Sequence, residues 1–171
     1  MSDEKIITRS DQRIVSDDWR FRARVLSGYD GDTIKVVMRM GMRQTAGEDV
    51  DPIEVRFYGI DTPEMNDKDP AIRAKAVRAR DFMAERLKPG DPNAPYVVLY
   101  TFKAGEKALF DGRGRLLADV YYQKGVRETK VGRKVVREIE WGFLNDELVT
   151  ARLAKRIKDK RAEWTAEDAN E

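Results

Sequence analysis

The chain has 171 residues, 41% of them hydrophobic and 37% charged, enough for one domain with a proper core and too few for two. Its 33 basic and 31 acidic side chains nearly cancel to +2, so any attraction to a polyanion must come from local clustering and not from net charge. There is no cysteine and no histidine, which excludes disulfides, zinc thiolate sites, cysteine nucleophiles and every imidazole mechanism, and leaves carboxylates, arginines, lysines and an oxygen-preferring metal.

Residues 1 to 18 mix charges without periodicity and read as a flexible N-terminal arm. They begin polar and are followed by no apolar run of signal-peptide or transmembrane length, so a cytoplasmic location and no membrane contact are expected. From Trp19 the pattern changes. Phe21, Ala23 and Val25 alternate with Arg22 and Arg24, Tyr29-Asp30-Gly31 follows, and Ile34, Val36, Met38 and Met40 alternate again, which predicts a hairpin. The Asp-Gly pair is expected to supply the positive backbone dihedrals of its turn. Residues 41 to 50 read as a loop, and Ile53 to Ile60, rich in β-branched and aromatic residues, as a third strand.

Asp69-Pro70 marks a helix start, with Asp as N-cap and Pro at the first helical position, and Lys88-Pro89-Gly90 marks its end. Ile72, Ala76, Ala79, Met83 and Leu87 then form one apolar stripe. Tyr96 to Phe102 and Arg115 to Tyr122 are two further strands, Val126 to Ile139 an extra exposed hairpin around Gly132, and Leu144 to Ile157 a second helix. The order β-β-β-α-β-β-α argues for an α+β domain with a closed or nearly closed sheet.

Three spots carry chemistry. Asp30-Gly31-Asp32-Thr33 is by itself a hairpin turn, Arg56 with Asp61-Thr62-Pro63-Glu64 a strand followed by a turn or helix start, and Asp111-Gly112-Arg113-Gly114-Arg115 a glycine-rich turn. Taken together, in this order and on these strands, the strings Asp30-Thr33, Val55-Arg56-Phe57-Tyr58-Gly59-Ile60-Asp61-Thr62-Pro63-Glu64, and Asp111 with Gly114-Arg115-Leu116-Leu117-Ala118 resemble the staphylococcal nuclease (thermonuclease) family. The resemblance covers roughly residues 19 to 160. It implies a five-stranded OB-fold-like β-barrel with two to three helices packed on it, over 19–162, followed by a polar tail over 163–171. It also implies a calcium-dependent phosphodiesterase that cuts DNA and/or RNA with little sequence preference and leaves 3′-phosphate ends. The metal ligands implied are Asp32, Asp61 and the carbonyl of Thr62, an all-oxygen set suited to a hard cation. Arg56 and Arg115 are implied to stabilise charge on the phosphorane oxygens, and Glu64 to orient a water and take its proton. These residues are expected to matter for rate more than for folding.

The chain also departs from the family pattern. Where the family has Lys-Tyr in the third motif, this chain has Gly112-Arg113, so Arg113 becomes the candidate phosphate contact. The two tyrosines that follow the family's second helix are replaced within Leu153-Ala154-Lys155-Arg156-Ile157, so base stacking there is expected to be lost. The Met65–Asp69 loop is shorter, and the hairpin around Gly132 is additional. Basic residues concentrate at 124–137 and at 152–161, where a solvated surface competes with a nucleic-acid contact. Trp19, Trp141 and Trp164 read as packing residues. The partner expected is nucleic acid, and the chain a monomer. The alternative is a non-catalytic nucleic-acid or protein binding module on the same fold, which would be expected to lose one or more of Asp32, Arg56, Asp61, Glu64 and Arg115. All five are present.

Overall fold

The alternation of apolar and charged residues sets the first two strands. Ala23 and Val25 on β1 (Arg20–Asp30) and Ile34, Val36 and Met38 on β2 (Thr33–Gly41) are buried, while Arg22, Arg24, Lys35 and Arg39 face outward. The structure is a computed structural model that describes residues 19–41, 44–46, 51–101, 109–132, 134–157 and 162–169. The expected N-terminal arm lies outside the described residues. β1 and β2 pair antiparallel, with Asp30 opposite Thr33 across Gly31-Asp32. The reason for the glycine differs from the one expected. Gly31 is not among the positive-φ residues; a Cβ on it would stand 2.7 Å from the Cβ of Ala79 and 2.9 Å from Cγ2 of Thr62. Gly31 is there for close approach.

The stretch expected as a loop at 41–50 contains a short strand, β3 (Gln44–Ala46), which extends the sheet beyond β2. Backbone pairing alone suffices for so short an edge strand, so no apolar alternation announces it. The third strand is also not continuous to Ile60. β4 (Ile53–Phe57) stops at a turn in which Gly59 adopts φ 71°, and the chain resumes as β5 (Ile60–Asp61). The break redirects the backbone: β4 pairs with β2 and, in parallel, with β7 (Leu116–Val131), whereas β5 pairs with β9 (Lys155–Arg156).

Helix α1 (Pro70–Leu87) follows its signals: Asp69 Oδ1 accepts the Ala71 N–H at 2.8 Å, Pro70 opens the first turn, and Lys88 closes the helix with φ 47°. Its stripe Ile72, Ala76, Ala79, Met83 and Leu87 is buried, with Ala79, Met83 and Leu87 in the core that the sheet covers. β6 (Val97–Thr101), β7 (Leu116–Val131) and β8 (Lys134–Phe143) complete the main sheet. Pairing runs β1–β6–β7–β4–β2 and returns from β2 to β1, with β3 beside β2 and β8 beside β7, an α+β architecture dominated by strands and consistent with an OB-like fold. The distal halves of β7 and β8 form an exposed hairpin, with Val131 opposite Lys134 and Gly132 at φ 64°, as expected from its alternation.

The second helix is shorter than predicted. α2 (Leu144–Thr150) ends where Arg152 turns left-handed at φ 58° and the Leu153 and Ala154 N–H groups both reach the Leu148 carbonyl, at 2.9 and 3.1 Å. The residues beyond it are needed to form β9 against β5, a pairing that helical periodicity does not reveal. Within α2, fully buried Asn145 accepts the Val120 N–H at 3.0 Å and donates to the Tyr58 carbonyl at 3.0 Å, tying α2 to β7 and to the β4–β5 turn. Residues 162–169, which include the four-residue helix α3 (Ala166–Ala169), return to the domain. Asp168 forms an ion pair with Lys155 at 2.8 Å, and the Lys75 and Lys155 ammonium groups lie 5.4 and 4.8 Å from the Trp164 ring. No helix among the described residues is long and apolar enough to cross a membrane.

The contacts around Gly31 give a direct test of close packing beneath the β1–β2 turn. Gly31→Ala is expected to lower the unfolding free energy by about 1–3 kcal/mol. Gly112→Ala, whose Cβ would meet nothing within 4 Å, is expected to stay within roughly 0.5 kcal/mol. Denaturant titration of both variants measures the difference, and equal midpoints would refute the account.

Candidate functional site

The β1–β2 turn, β4 and β5 each deliver one charged side chain to the same buried place. Asp32 stands in the turn and is 0% exposed, Arg56 lies on β4 opposite Thr33 and is 6% exposed, and Asp61 on β5 is 4% exposed. Arg56 Nη1 donates to Asp32 Oδ1 at 2.5 Å, while Nη2 donates to Asp61 Oδ1 and, at 3.4 Å, to the Ile60 carbonyl. The other Asp32 oxygen accepts the Thr62 N–H at 2.7 Å, and the other Asp61 oxygen accepts the Ala162 N–H at 3.1 Å. One guanidinium fork therefore bridges two carboxylates, and each carboxylate is also held by backbone.

The charges do not balance. Burial pushes the Asp32 carboxyl up to about 7 against the pull of Arg56, with nearby Asp30 and Asp61 adding to the rise and the Thr62 N–H opposing it. Two carboxylates thus share one buried guanidinium, with Asp30 adding negative charge beside Asp32. Removing one partner of a buried pair leaves an uncompensated charge, so Arg56 is a structural residue as well as a candidate catalytic one. Removal of its charge is therefore expected to cost stability as well as rate.

Arg115 arrives from a different turn. It stands just before β7, where Asp111 Oδ2 accepts from its Nε at 2.7 Å and pairs with its Nη2 at 2.7 Å, while its Nη1 reaches Thr33 Oγ1 at 3.3 Å. Thr33 in turn donates to Asp32 at 3.3 Å, which links the two arginines through one hydroxyl. Asp111 Oδ1 accepts the backbone N–H groups of Arg113 and Arg115, each at 2.9 Å. Burial alone would raise the Asp111 carboxyl, but these N–H groups and the Arg115 guanidinium hold it below its ordinary value.

Asp32, Arg56, Asp61 and Thr62 are therefore in mutual contact, and Arg115 joins them through Thr33. Glu64 lies two residues past Thr62, half-buried, in a turn closed by the Asp67 N–H on the Glu64 carbonyl at 3.2 Å. Arg113 is exposed at the tip of the Asp111–Arg115 turn. Three participants were given no role from the sequence. Thr33 and Asp111 position Arg115, and Ala162 anchors Asp61 by its backbone; Thr33 and Asp111 stood within the sequence motifs, whereas Ala162 left no signal.

The donor set fits a hard cation. Every candidate ligand is an oxygen, the acidic groups outnumber the one guanidinium, and Asp30 Oδ1 and Thr62 Oγ1 are buried with no hydrogen-bond partner among the described residues. No cluster of three acidic, histidine or cysteine side chains forms a ready-made cage among the described residues, so a metal here would depend on backbone carbonyls and water for its remaining positions.

Residues 54–170, more than half of the chain, match the staphylococcal nuclease homologue family, a span that holds Arg56, Asp61, Thr62, Glu64 and Arg115. Asp32 precedes that span and is joined to it by Arg56. Among curated proteins no significant match was found. The order of the charged residues, their convergence at one end of the strands and the family match agree, and the chain belongs to the staphylococcal nuclease homologue family.

Proposed function

We propose that this protein is a calcium-dependent nuclease that hydrolyses phosphodiester bonds of DNA and/or RNA with little sequence preference. The ring of five paired strands is read as the OB-fold-like barrel that carries the site. The observation that supports this most is the Arg56 fork held between Asp32 and Asp61, beside an Arg115 already aimed by Asp111. Among nuclease-family folds that only bind, nothing would require two oriented guanidinium groups at one acidic pocket.

Asp32, Asp61 and the Thr62 carbonyl would hold calcium, which when bound would supply fixed positive charge to the phosphate oxygens. The protein's own groups do the rest. Arg56 and Arg115 donate to the non-bridging oxygens, where negative charge grows as the phosphorane forms. A guanidinium has more N–H donors than Arg56 commits to Asp32, Asp61 and the Ile60 carbonyl, so it can serve both carboxylates and phosphate. Glu64 accepts the proton of the attacking water, the water oxygen bonds to phosphorus, and the bond from phosphorus to the 5′ oxygen breaks, that oxygen leaving with the electron pair and taking a proton from solvent water to become the 5′ hydroxyl. Arg113, exposed on the neighbouring turn, would meet a terminal phosphate.

Digestion of single-stranded DNA, duplex DNA and RNA with calcium or with chelator is the first test. Cleavage is expected with calcium and none with chelator; undiminished cleavage in chelator would rule out the metal mechanism. Arg115→Lys keeps a positive charge and loses the fork, and Glu64→Gln keeps the shape and loses the base. Each is expected to slow cleavage on the order of a hundredfold or more. In both, calcium should still raise the thermal unfolding midpoint as it does in the parent, whereas Asp61→Asn should abolish that rise. Near-parental rates would show that Arg115 and Glu64 are not the catalytic groups, and no cleavage by the parent under any condition would favour a binding module.

Arg56 makes a separate prediction. Arg56→Gln leaves two buried carboxylates without their cation, so without calcium it is expected to lose about 3–5 kcal/mol of stability, read from chemical denaturation. A loss below 1 kcal/mol would show the bridge to be energetically idle.

A further inference from the structure

A second basic site lies on the opposite side of the β1–β2 hairpin from the core. Arg22 and Arg24 on β1 and Arg39 on β2 all project from the outer face, because their strand neighbours Ala23, Val25 and Met38 point inward. They line a cleft of about 410 Å³, within the range of small-ligand sites. Its far wall is Pro92 and Tyr96, from the segment between α1 and β6, and its floor includes Val37. No carboxylate lines it among the described residues.

Two features set this cleft apart from an ordinary solvated face. Arg22 and Arg39 are direct cross-strand partners, an arrangement in which like charges oppose each other and lower the stability of the pair. An anion between them reverses the sign of that interaction. Arg22 also does not extend into water: its guanidinium lies 4.5 Å from the centroid of the Tyr96 ring, which itself packs against Trp141 at 6.0 Å. A guanidinium backed by an aromatic ring is held in position with its donor edge directed, and its second face can carry a nucleobase.

β1 connects this cleft to the catalytic turn. From Arg24 to Asp30 is six residues, ~20 Å of strand, which is roughly six nucleotides of a stacked strand. We infer that Arg22, Arg24, Arg39 and Tyr96 form an accessory binding site for single-stranded nucleic acid, holding backbone phosphates of the strand whose scissile bond lies at Asp32, Arg56 and Arg115. Single strands are favoured because their base faces are open to the Arg22–Tyr96 platform. The inference takes the identity of the ligand from the nuclease reading, but it concerns binding and not cleavage.

The test is fluorescence anisotropy with a labelled 15-nucleotide single-stranded DNA, in chelator so that no turnover occurs. The triple variant Arg22→Gln, Arg24→Gln, Arg39→Gln should bind at least tenfold more weakly, and its slope of log Kd against log salt should fall by about 2, the loss of three phosphate contacts. Its unfolding midpoint should not fall below that of the parent, because the substitutions also remove a like-charged cross-strand pair. A triple lysine variant should retain most of the salt slope and separate charge from any change in folding. Equal affinity and slope in the parent and the glutamine variant would overturn the site, as would a lysine variant as weak as the glutamine one. A parent that binds through these arginines but never cleaves, with or without calcium, would remove the nuclease reading and leave the accessory site standing.

Discussion

A buried guanidinium can be kept only if its charge is met, and Arg56 is met by two carboxylates that the chain supplies from opposite sides of β4. That requirement binds three elements that are distant in sequence. The β1–β2 turn must come close enough to place Asp32, which is why the position before it has no side chain. β4 must stop short so that Asp61 faces back toward Arg56, which is what the left-handed Gly59 accomplishes. Asn145 then holds the turned backbone by its Tyr58 carbonyl.

The second arginine is held by different means. Arg115 is aimed chiefly by an aspartate four residues earlier, in a turn that Gly114 closes at φ 79°, so most of its orientation is set locally. Donors fixed in this way need not reorganise when charge develops on a ligand, which is the condition for electrostatic stabilisation. Thr33 couples the two arrangements weakly, through bonds of 3.3 Å on either side.

Much of this architecture could be read from the sequence because the signals were local. The alternation on β1 and β2, the Asp69-Pro70 helix start and the stripe from Ile72 to Leu87 each depend on residues within one element, and they appear where expected. The features that were misread depend on partners far along the chain. β3 exists because β2 offers an edge, α2 stops because β5 takes the following residues as a strand, and Gly31 is needed because Ala79 and Thr62 lie against it. The charged residues of the site were legible as motifs, but the motifs did not show that Arg56 is buried or that Asp111 and a backbone N–H at residue 162 take part. Residue type carries chemistry, whereas burial and backbone contacts emerge only from the fold.

The pairing of β5 with β9 has a consequence for how the molecule is made. Asp61 is flanked in space by Lys155 and capped by the amide of Ala162, about a hundred residues downstream, so synthesis from the N-terminus produces the acidic pocket long before it produces the wall that encloses it. A chain still being translated carries Asp32, Arg56 and Asp61 on strands already able to pair, yet with Asp61 open to water on one side. Completion of the pocket is therefore a late event in the life of each copy, which waits until residues 155 to 162 have left the ribosome and can pack against β5.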